Sequence, residues 1–361
     1  MTTRPTSTPL PGDGSARAPG NFISTSSIRK GRHMFTQLRR YALAGLLFGC
    51  GLPLIIHHGI SDGATSVVAG ITPVSTSQVL KKVASSISIR TLPKDPIPSL
   101  KVASGDDGSM YVRAQAGCKV SYQGVTAPAC VWGDRSGSRT MIWLGDSHAL
   151  QWASAFDTIG KRLHWKVILL GKASCPAPYT EFYDWATHSS YHACDVWHNY
   201  VIARIKKINP DLLVVSGDDF RPLNGQRQIM SRSVWGSALA KTIHMINSSK
   251  TRKVILGPTP HLSHGMWTVN CLAAHEDNVQ LCSSSRSAVL RLVYNDTDQD
   301  VAKKTGAYYI DVLPWFCTSM CPAVIGNMIV YGAHDHIANQ YAAYLTNALQ
   351  DALQPIMARR K

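Results

Sequence analysis

From about residue 138 onward the chain repeats one pattern, a short apolar run followed by a stretch of helical periodicity, and this limits the folds open to it. The runs cover residues 140–144, 166–170, 211–215, 253–256 and 307–312. Runs of this length that are apolar throughout read as strands buried on both faces. The helical stretches cover 149–163, 196–208, 233–246 and 287–304, with a last helix at 338–353. Strand and helix in alternation predict an α/β chain: a three-layer α/β/α sandwich on a mostly parallel, five-stranded sheet. In such sheets the reactive site forms at the carboxyl ends of the strands.

The first of those ends carries Leu144-Gly145-Asp146-Ser147-His148, with Ser147 opening a helix. A serine hydroxyl is a weak nucleophile and needs a base and an oxyanion site. Unpaired backbone N–H groups at a helix start can stabilise a developing oxyanion, and Gly145 permits the tight turn. A serine here can also serve only as a helix cap. The second signal is His336, in Tyr331-Gly332-Ala333-His334-Asp335-His336 just before the final helix, where a histidine can reach the end of the first strand and act as base. The two together are far more specific than either alone.

With 361 residues the chain suits one sizeable domain plus appendages. Its formal charge of +15 favours anionic partners, although no nucleic-acid motif is present. The first forty residues carry Arg4, Arg17, Arg29, Lys30, Arg32, Arg39 and Arg40 against Asp13 alone. Residues 41–56 are uncharged and follow Arg39-Arg40, which reads as a membrane-inserted signal with the N-terminus in the cytoplasm. Leu47-Phe48-Gly49-Cys50 loosely resembles a lipoprotein box, but the apolar run continues past Cys50, so an uncleaved anchor is favoured over a lipidated or secreted form. The expected division is a disordered basic tail (1–40), a signal-anchor or signal-peptide segment (41–60), a linker (61–117) with a helix near 77–86, and the catalytic domain (118–355).

Eight cysteines lie downstream of Cys50, an even number that beyond an export signal reads as disulfides. Their spacing predicts four local loops: Cys118–Cys130, Cys175–Cys194, Cys271–Cys282 and Cys317–Cys321. Zinc at Cys317-x-x-x-Cys321 is the weaker alternative.

The chain resembles the SGNH domain found at the C-terminus of acyltransferase-3 membrane proteins, which O-acylate cell-envelope carbohydrates. The likeness runs from about residue 88 to 353. It includes Arg90-Thr91-Leu92-Pro93, Gly117-Cys118, Cys130-Val131-Trp132-Gly133-Asp134 and, most specifically, residues 143–152 around Gly145-Asp146-Ser147-His148. Lys172-Ala173-Ser174-Cys175-Pro176, Cys194-Asp195-Val196-Trp197, Thr259-Pro260, Asp311-Val312-Leu313-Pro314-Trp315-Phe316-Cys317 and Cys321-Pro322 follow in order.

The resemblance implies an SGNH hydrolase, flavodoxin-like fold and an acyl-serine mechanism without cofactor or metal. Gly171 would join Ser147 as oxyanion donor, with Ser174 nearby as a turn residue. The substrate would be an acylated, in the first place acetylated, carbohydrate or glycolipid, and a separate membrane acyltransferase is a possible partner. Two departures stand out. The family's Arg-Asp pair before the catalytic histidine is here Gly332-Ala333, so either Asp335 replaces the acid or Ser147 and His336 work as a dyad. After the third strand, Gly217-Asp218-Asp219 stands where many such enzymes carry Asn, with Asn224 a distant candidate. A catalytically degenerate module that binds glycan or scaffolds a membrane acyltransferase is the rival reading.

Overall fold

The structure, a computed structural model, describes residues 67–115, 118, 120–128, 130–184, 187–218 and 229–358. The expected tail and anchor, Cys50, Asp219 and Asn224 lie outside the described residues. A six-stranded sheet forms the centre: β1 (Val131–Gly133), β2 (Arg139–Gly145), β3 (Trp165–Gly171), β4 (Leu212–Val215), β5 (Arg252–Leu256) and β6 (Tyr308–Ile310). Their order is β1-β3-β2-β4-β5-β6. All neighbours are parallel except β1, which runs antiparallel to β3. Counted along the chain, the parallel strands lie in the order 2-1-3-4-5, the flavodoxin-type arrangement. The expected parallel strands are all present, and the short edge strand β1 adds a sixth.

The helices, in chain order, are α1 (Thr76–Ser86), α2 (Leu100–Ser104), α3 (Met110–Ala114), α4 (Ser147–Leu150), α5 (Ala153–Leu163), α6 (His192–Ile208), α7 (Arg232–Met245), α8 (Thr268–Ala274), α9 (Arg286–Leu292), α10 (Asn295–Thr305), α11 (Asn339–Tyr344) and α12 (Thr346–Ala358). The stretch expected as one helix at 287–304 breaks at Val293-Tyr294, where both side chains turn into the core and the Tyr294 hydroxyl donates to the Met230 carbonyl. The expected last helix likewise divides, at Leu345.

Because side chains alternate along a strand, each strand feeds two cores. Met141 and Trp143 of β2 join Val167, Leu212 and Val254 on one face, with Phe156 of α5 and Leu349 of α12. Ile142 and Leu144 join Ile168, Leu213 and Ile255 on the other, with Trp197 of α6 and Leu239 of α7. Adjacent rows fix the register: Leu144 stands opposite Leu170 and Val215, and Gly145 opposite Gly171.

The expected linker is corrected by the structure. Its residues 67–115 pack on the domain: Val79, Val83, Ala103, Tyr111 and Val112 are buried in the first core. Thr76 donates to Asp351 of α12, the Gln340 amide donates to the Val67 carbonyl, and the Tyr111 hydroxyl donates to Asp157 of α5. The expected helix near 77–86 is α1, started by a Ser75–Gln78 capping box. The sparse apolar residues of this stretch fall on one side of short helices, so their burial leaves little trace in composition.

Four disulfides close as the spacing predicts: Cys118–Cys130, Cys175–Cys194, Cys271–Cys282 and Cys317–Cys321. With its two sulfurs bonded to each other, the Cys317–Cys321 pair offers no zinc ligands. Among the described residues no helix is long and apolar enough to cross a membrane.

Since Val79 and Val83 are fully buried, Val79→Ala combined with Val83→Ala is expected to destabilise the domain by roughly 2–5 kcal/mol. Denaturant unfolding checks this, and an unchanged midpoint would restore the linker reading.

Candidate active site

Strand β2 ends at Gly145, hard against the loop after β4. A Cβ on Gly145 would sit 1.9 Å from the Ser216 carbonyl oxygen, so only glycine fits this turn. Asp146 then caps α4. Its buried carboxylate accepts the His148 N–H at 2.9 Å and, across the gap to the loop after β4, the Asp218 N–H at 3.1 Å. The Asp146 carbonyl takes the Ala149 and Leu150 amides, and the Ser147 amide is the first-turn donor these bonds leave over. Ser147 itself is half-buried.

His336 follows a single turn, Ala333–Asp335, in which His334 (φ 57°) and Asp335 (φ 66°) are both left-handed. Such backbone is costly for non-glycine residues and persists only where surroundings enforce it. Here they do. The Asp106 carbonyl accepts the Ala333 N–H at 2.7 Å, and the Asp106 carboxylate accepts both the backbone N–H and the side-chain amide of Asn339 at 2.7 and 2.6 Å, together with the Gly108 N–H. Gly108 (φ +70°) lies against the His336 side chain, where a Cβ would come within 2.8 Å of Cδ2. At Gly332 a Cβ would meet the Asp106 carbonyl oxygen at 2.2 Å, which leaves no room for the family's arginine.

The ring of His336 is oriented without a carboxylate. Its Nδ1 lies 2.9 Å from the Ala333 carbonyl oxygen. That carbonyl can only accept, so the proton sits on Nδ1 and the lone pair on Nε2. The Nε2 atom is buried and has no hydrogen-bond partner. Burial pushes the His336 pKa below the ordinary value near 6.5; the Ala333 carbonyl and the charges of Asp146, Asp107 and Asp218 oppose this without reversing it. The ring is therefore neutral at neutral pH, while three carboxylates favour the charged form it takes on accepting a proton.

The two halves of the site meet through His148 and Gln151. The His148 ring lies 4.5 Å from that of His336, centroid to centroid. Gln151 accepts the Ile337 N–H at 2.8 Å and donates to Thr259. The serine end and the histidine end are thus tied together by residues next to each.

Asp335, one of the two alternatives for the missing acid, turns elsewhere. Its Oδ2 lies 3.6 Å from His261 Nδ1, and His261 Nε2 lies 3.0 Å from Asp218. Asp218 also faces His148 Nε2 at 4.0 Å. Asp106, Gly108, His261 and the orienting role of the Ala333 carbonyl escaped the sequence reading. The Asp106-Asp107-Gly108 turn signal and a histidine just past the end of β5 were the available hints.

Gly171 packs against Leu150, and the next amide, Lys172 N–H, is engaged by the Gly145 carbonyl. The buried Lys172 ammonium donates to the carbonyls of Ser121, Tyr122 and Gly124, and burial pushes its pKa down to about 8. Ser174 adopts φ 57° in the turn that follows. Among the described residues, the group with metal-ligand proximity is Cys175, Cys194 and His198. It does not suit a metal: the sulfurs form a disulfide, and His198 Nε2 is hydrogen-bonded to the Pro176 carbonyl, with burial pushing its pKa down to about 4.

The contact between Gly108 and the imidazole sets a sharp test. Gly108→Ala must push the ring aside, and is expected to lower any turnover that uses His336 as base on the order of 100-fold, the cost of a roughly 1 Å misplacement. Steady-state rates beside a thermal melt check it, and a wild-type rate would separate Gly108 from the site.

Comparison with known proteins agrees with this architecture. The profile of the SGNH domain (fused to AT3 domains) matches residues 117–351. No curated protein matches the chain. Among solved structures, the lipopolysaccharide acetyltransferase periplasmic domain of Salmonella ser. Paratyphi A aligns with a TM-score of 0.53 at 15% identity, covering 73% of this chain and 98% of that one. A GDSL-like lipase from Bacteroides thetaiotaomicron aligns with a TM-score of 0.38 at 8% identity, covering 60% and 89%. The Salmonella likeness speaks to fold, and the profile covers well over half of the sequence: the chain belongs to the SGNH domain family, in the form found fused to AT3 domains.

Proposed function

We propose that the chain is a serine esterase or O-acyltransferase acting on O-acyl groups, in the first place O-acetyl, of an envelope glycan or glycolipid. The observation that carries this reading is His336: Nδ1 tied to a backbone carbonyl, Nε2 buried without a partner, and the ring against the residue that follows Ser147. In the first half-reaction, His336 Nε2 takes the Ser147 proton as Oγ bonds to the acyl carbon. The oxyanion meets the Ser147 amide, with Gly171 as the second donor. The ester C–O bond then breaks, His336 returns the proton to the leaving alkoxide, and an acyl-serine remains. In the second half, water or a sugar hydroxyl gives its proton to His336 and takes the acyl group, and His336 returns that proton to Ser147 Oγ as the acyl–serine bond breaks. No cofactor enters this cycle.

A glycan-binding or scaffolding module without turnover is favoured by the loss of the acid at position 333. Against it stands the Ala333 carbonyl, which supplies the orienting hydrogen bond, while Asp146, Asp107 and Asp218 supply negative charge. Loss of an orienting acid can cost about four orders of magnitude in a triad enzyme. Replacement of both its parts leaves a smaller deficit here.

Ser147→Ala is expected to abolish release of acetate from an aryl acetate by the full chain. The acid limb of kcat/KM should have its midpoint below pH 6.5, because the lowered His336 pKa keeps the base neutral to a more acidic pH. Equal inactivity of both proteins on aryl and sugar acetates would give the module reading the field. Equal activity would move the nucleophile away from Ser147.

The same reading places the domain outside the cytoplasm on an N-terminal anchor at 41–60, where a separate membrane acyltransferase could supply acyl groups. The four disulfides support this, since such bonds persist in oxidising compartments. Protease added to intact cells should digest the domain and leave a membrane-bound N-terminal fragment. Full protection until lysis would put it inside.

A further inference from the structure

His261 stands between two carboxylates, one from each half of the site. Its Nδ1 lies 3.6 Å from Oδ2 of Asp335, in the turn that presents His336. Its Nε2 lies 3.0 Å from Oδ1 of Asp218, in the loop after β4. The residue follows β5 and is only 7% exposed, so water screens these contacts little.

This placement constrains its protons. A neutral imidazole has one N–H and one lone pair. Whichever nitrogen kept the lone pair would hold it toward a carboxylate oxygen. With both nitrogens protonated, each carboxylate faces a positive ring edge. Burial opposes the charge, and two carboxylates at contact distance favour it. Asp335 depends on that cation, since its Oδ1 is buried without a hydrogen-bond partner and Oδ2 is the oxygen turned to His261. Among the described residues, Asp335 from the histidine turn, Asp218 from the loop after β4 and the stacked His148 ring from α4 face His261, with Asp146 behind Asp218. His148 is the weaker candidate for the charge. It lies 4.0 Å from Asp218, and the uncharged Thr259 hydroxyl is at its other nitrogen.

The contact bears on the catalytic ring. Asp335 is left-handed at φ 66°, and the Ala333 carbonyl at the start of the same turn holds His336 Nδ1. Such backbone persists only where its surroundings enforce it. Asp106 holds the start of the turn through the Ala333 N–H, and His261 holds its end through the Asp335 side chain. On the other side, Asp218 donates its N–H to the Asp146 carboxylate, which caps the helix that Ser147 opens. One ring therefore links the turn that aims the base to the loop that braces the nucleophile.

We infer that His261 is a positioning residue: as an imidazolium between Asp335 and Asp218, it fixes the Ala333–Asp335 turn and with it the direction of His336 Nε2. The inference rests on the esterase reading for its consequence and gives that activity a second pH limit. The base must be neutral, so activity falls in acid as His336 takes up a proton. The bridge must be charged, so activity falls in alkali as His261 loses one and a lone pair faces a carboxylate.

The test is a titration of the full chain, labelled at its histidine nitrogens and read by NMR, with each ring assigned through its own backbone amide. Both ring nitrogens of His261 should carry protons at neutral pH, in the wild type and equally in Ser147→Ala. Asp335→Asn should move the His261 titration to lower pH by about one unit. The His336 Nδ1 proton should exchange with water several-fold faster once His261 is deprotonated, and in His261→Gln at neutral pH. A neutral His261 at neutral pH, a titration unmoved by Asp335→Asn, or an exchange rate blind to the state of His261 overturns the inference. Rates on an aryl acetate form the second arm. The alkaline limb of kcat/KM should share its midpoint with the His261 titration. His261→Gln should be about tenfold slower and lack that limb. A histidine of merely structural value would lower the rate without moving the profile, so a limb that persists in His261→Gln also overturns the bridge. Should the wild type release no acetate while His261 is charged and the His336 proton is protected, the positioning stands and the esterase reading fails.

Discussion

The carboxylate of Asp146 holds the site together. It is wholly buried, and it accepts from two segments: the start of α4, through the His148 N–H, and the loop after β4, through the Asp218 N–H. Without it both amides would lose the buried acceptor these bonds supply, each at a cost of about 1–3 kcal/mol. The bond to Asp218 also sets where that side chain stands, and through Asp218 the positions of His148 and His261. A residue that sequence comparison treats as the middle letter of a motif is the joint between two strand ends.

The histidine end is built on a different plan. An enzyme with an orienting aspartate uses one group for two tasks, since the carboxylate both holds the imidazole by hydrogen bond and offsets its charge. In this chain the tasks are divided. The Ala333 carbonyl does the holding, and carboxylates at some distance supply the field. A fixed carbonyl orients the ring as well as a side chain does, but it carries no net charge. The field of the surrounding acids falls off with separation and with solvent between.

What the sequence makes legible follows from how local each feature is. The parallel strands, the paired cysteines and the Gly145-to-His148 turn are written in consecutive or nearly consecutive residues, and all stand in the structure as the pattern predicts. Strand β1 is missed because three residues carry no period. The Asp106–Asn339 bonds are missed because they span 233 positions and join a polar stretch to the start of α11. The Ala333 carbonyl leaves no mark at all, because every residue has a carbonyl and only the left-handed turn at His334-Asp335 aims this one at the ring.

The contact of Gly108 with the His336 ring joins an early part of the described chain to its last part. Among the described residues, every strand, the serine turn and the four disulfides lie downstream of Ser109. A single proteolytic nick between Gly105 and Ser109 would leave each of them covalently intact. It would still interrupt one wall of the cage around the imidazole, the Asp106–Gly108 turn that sits against the ring. Loss of function by such a clip would look, in any assay of the core fold, like damage to nothing.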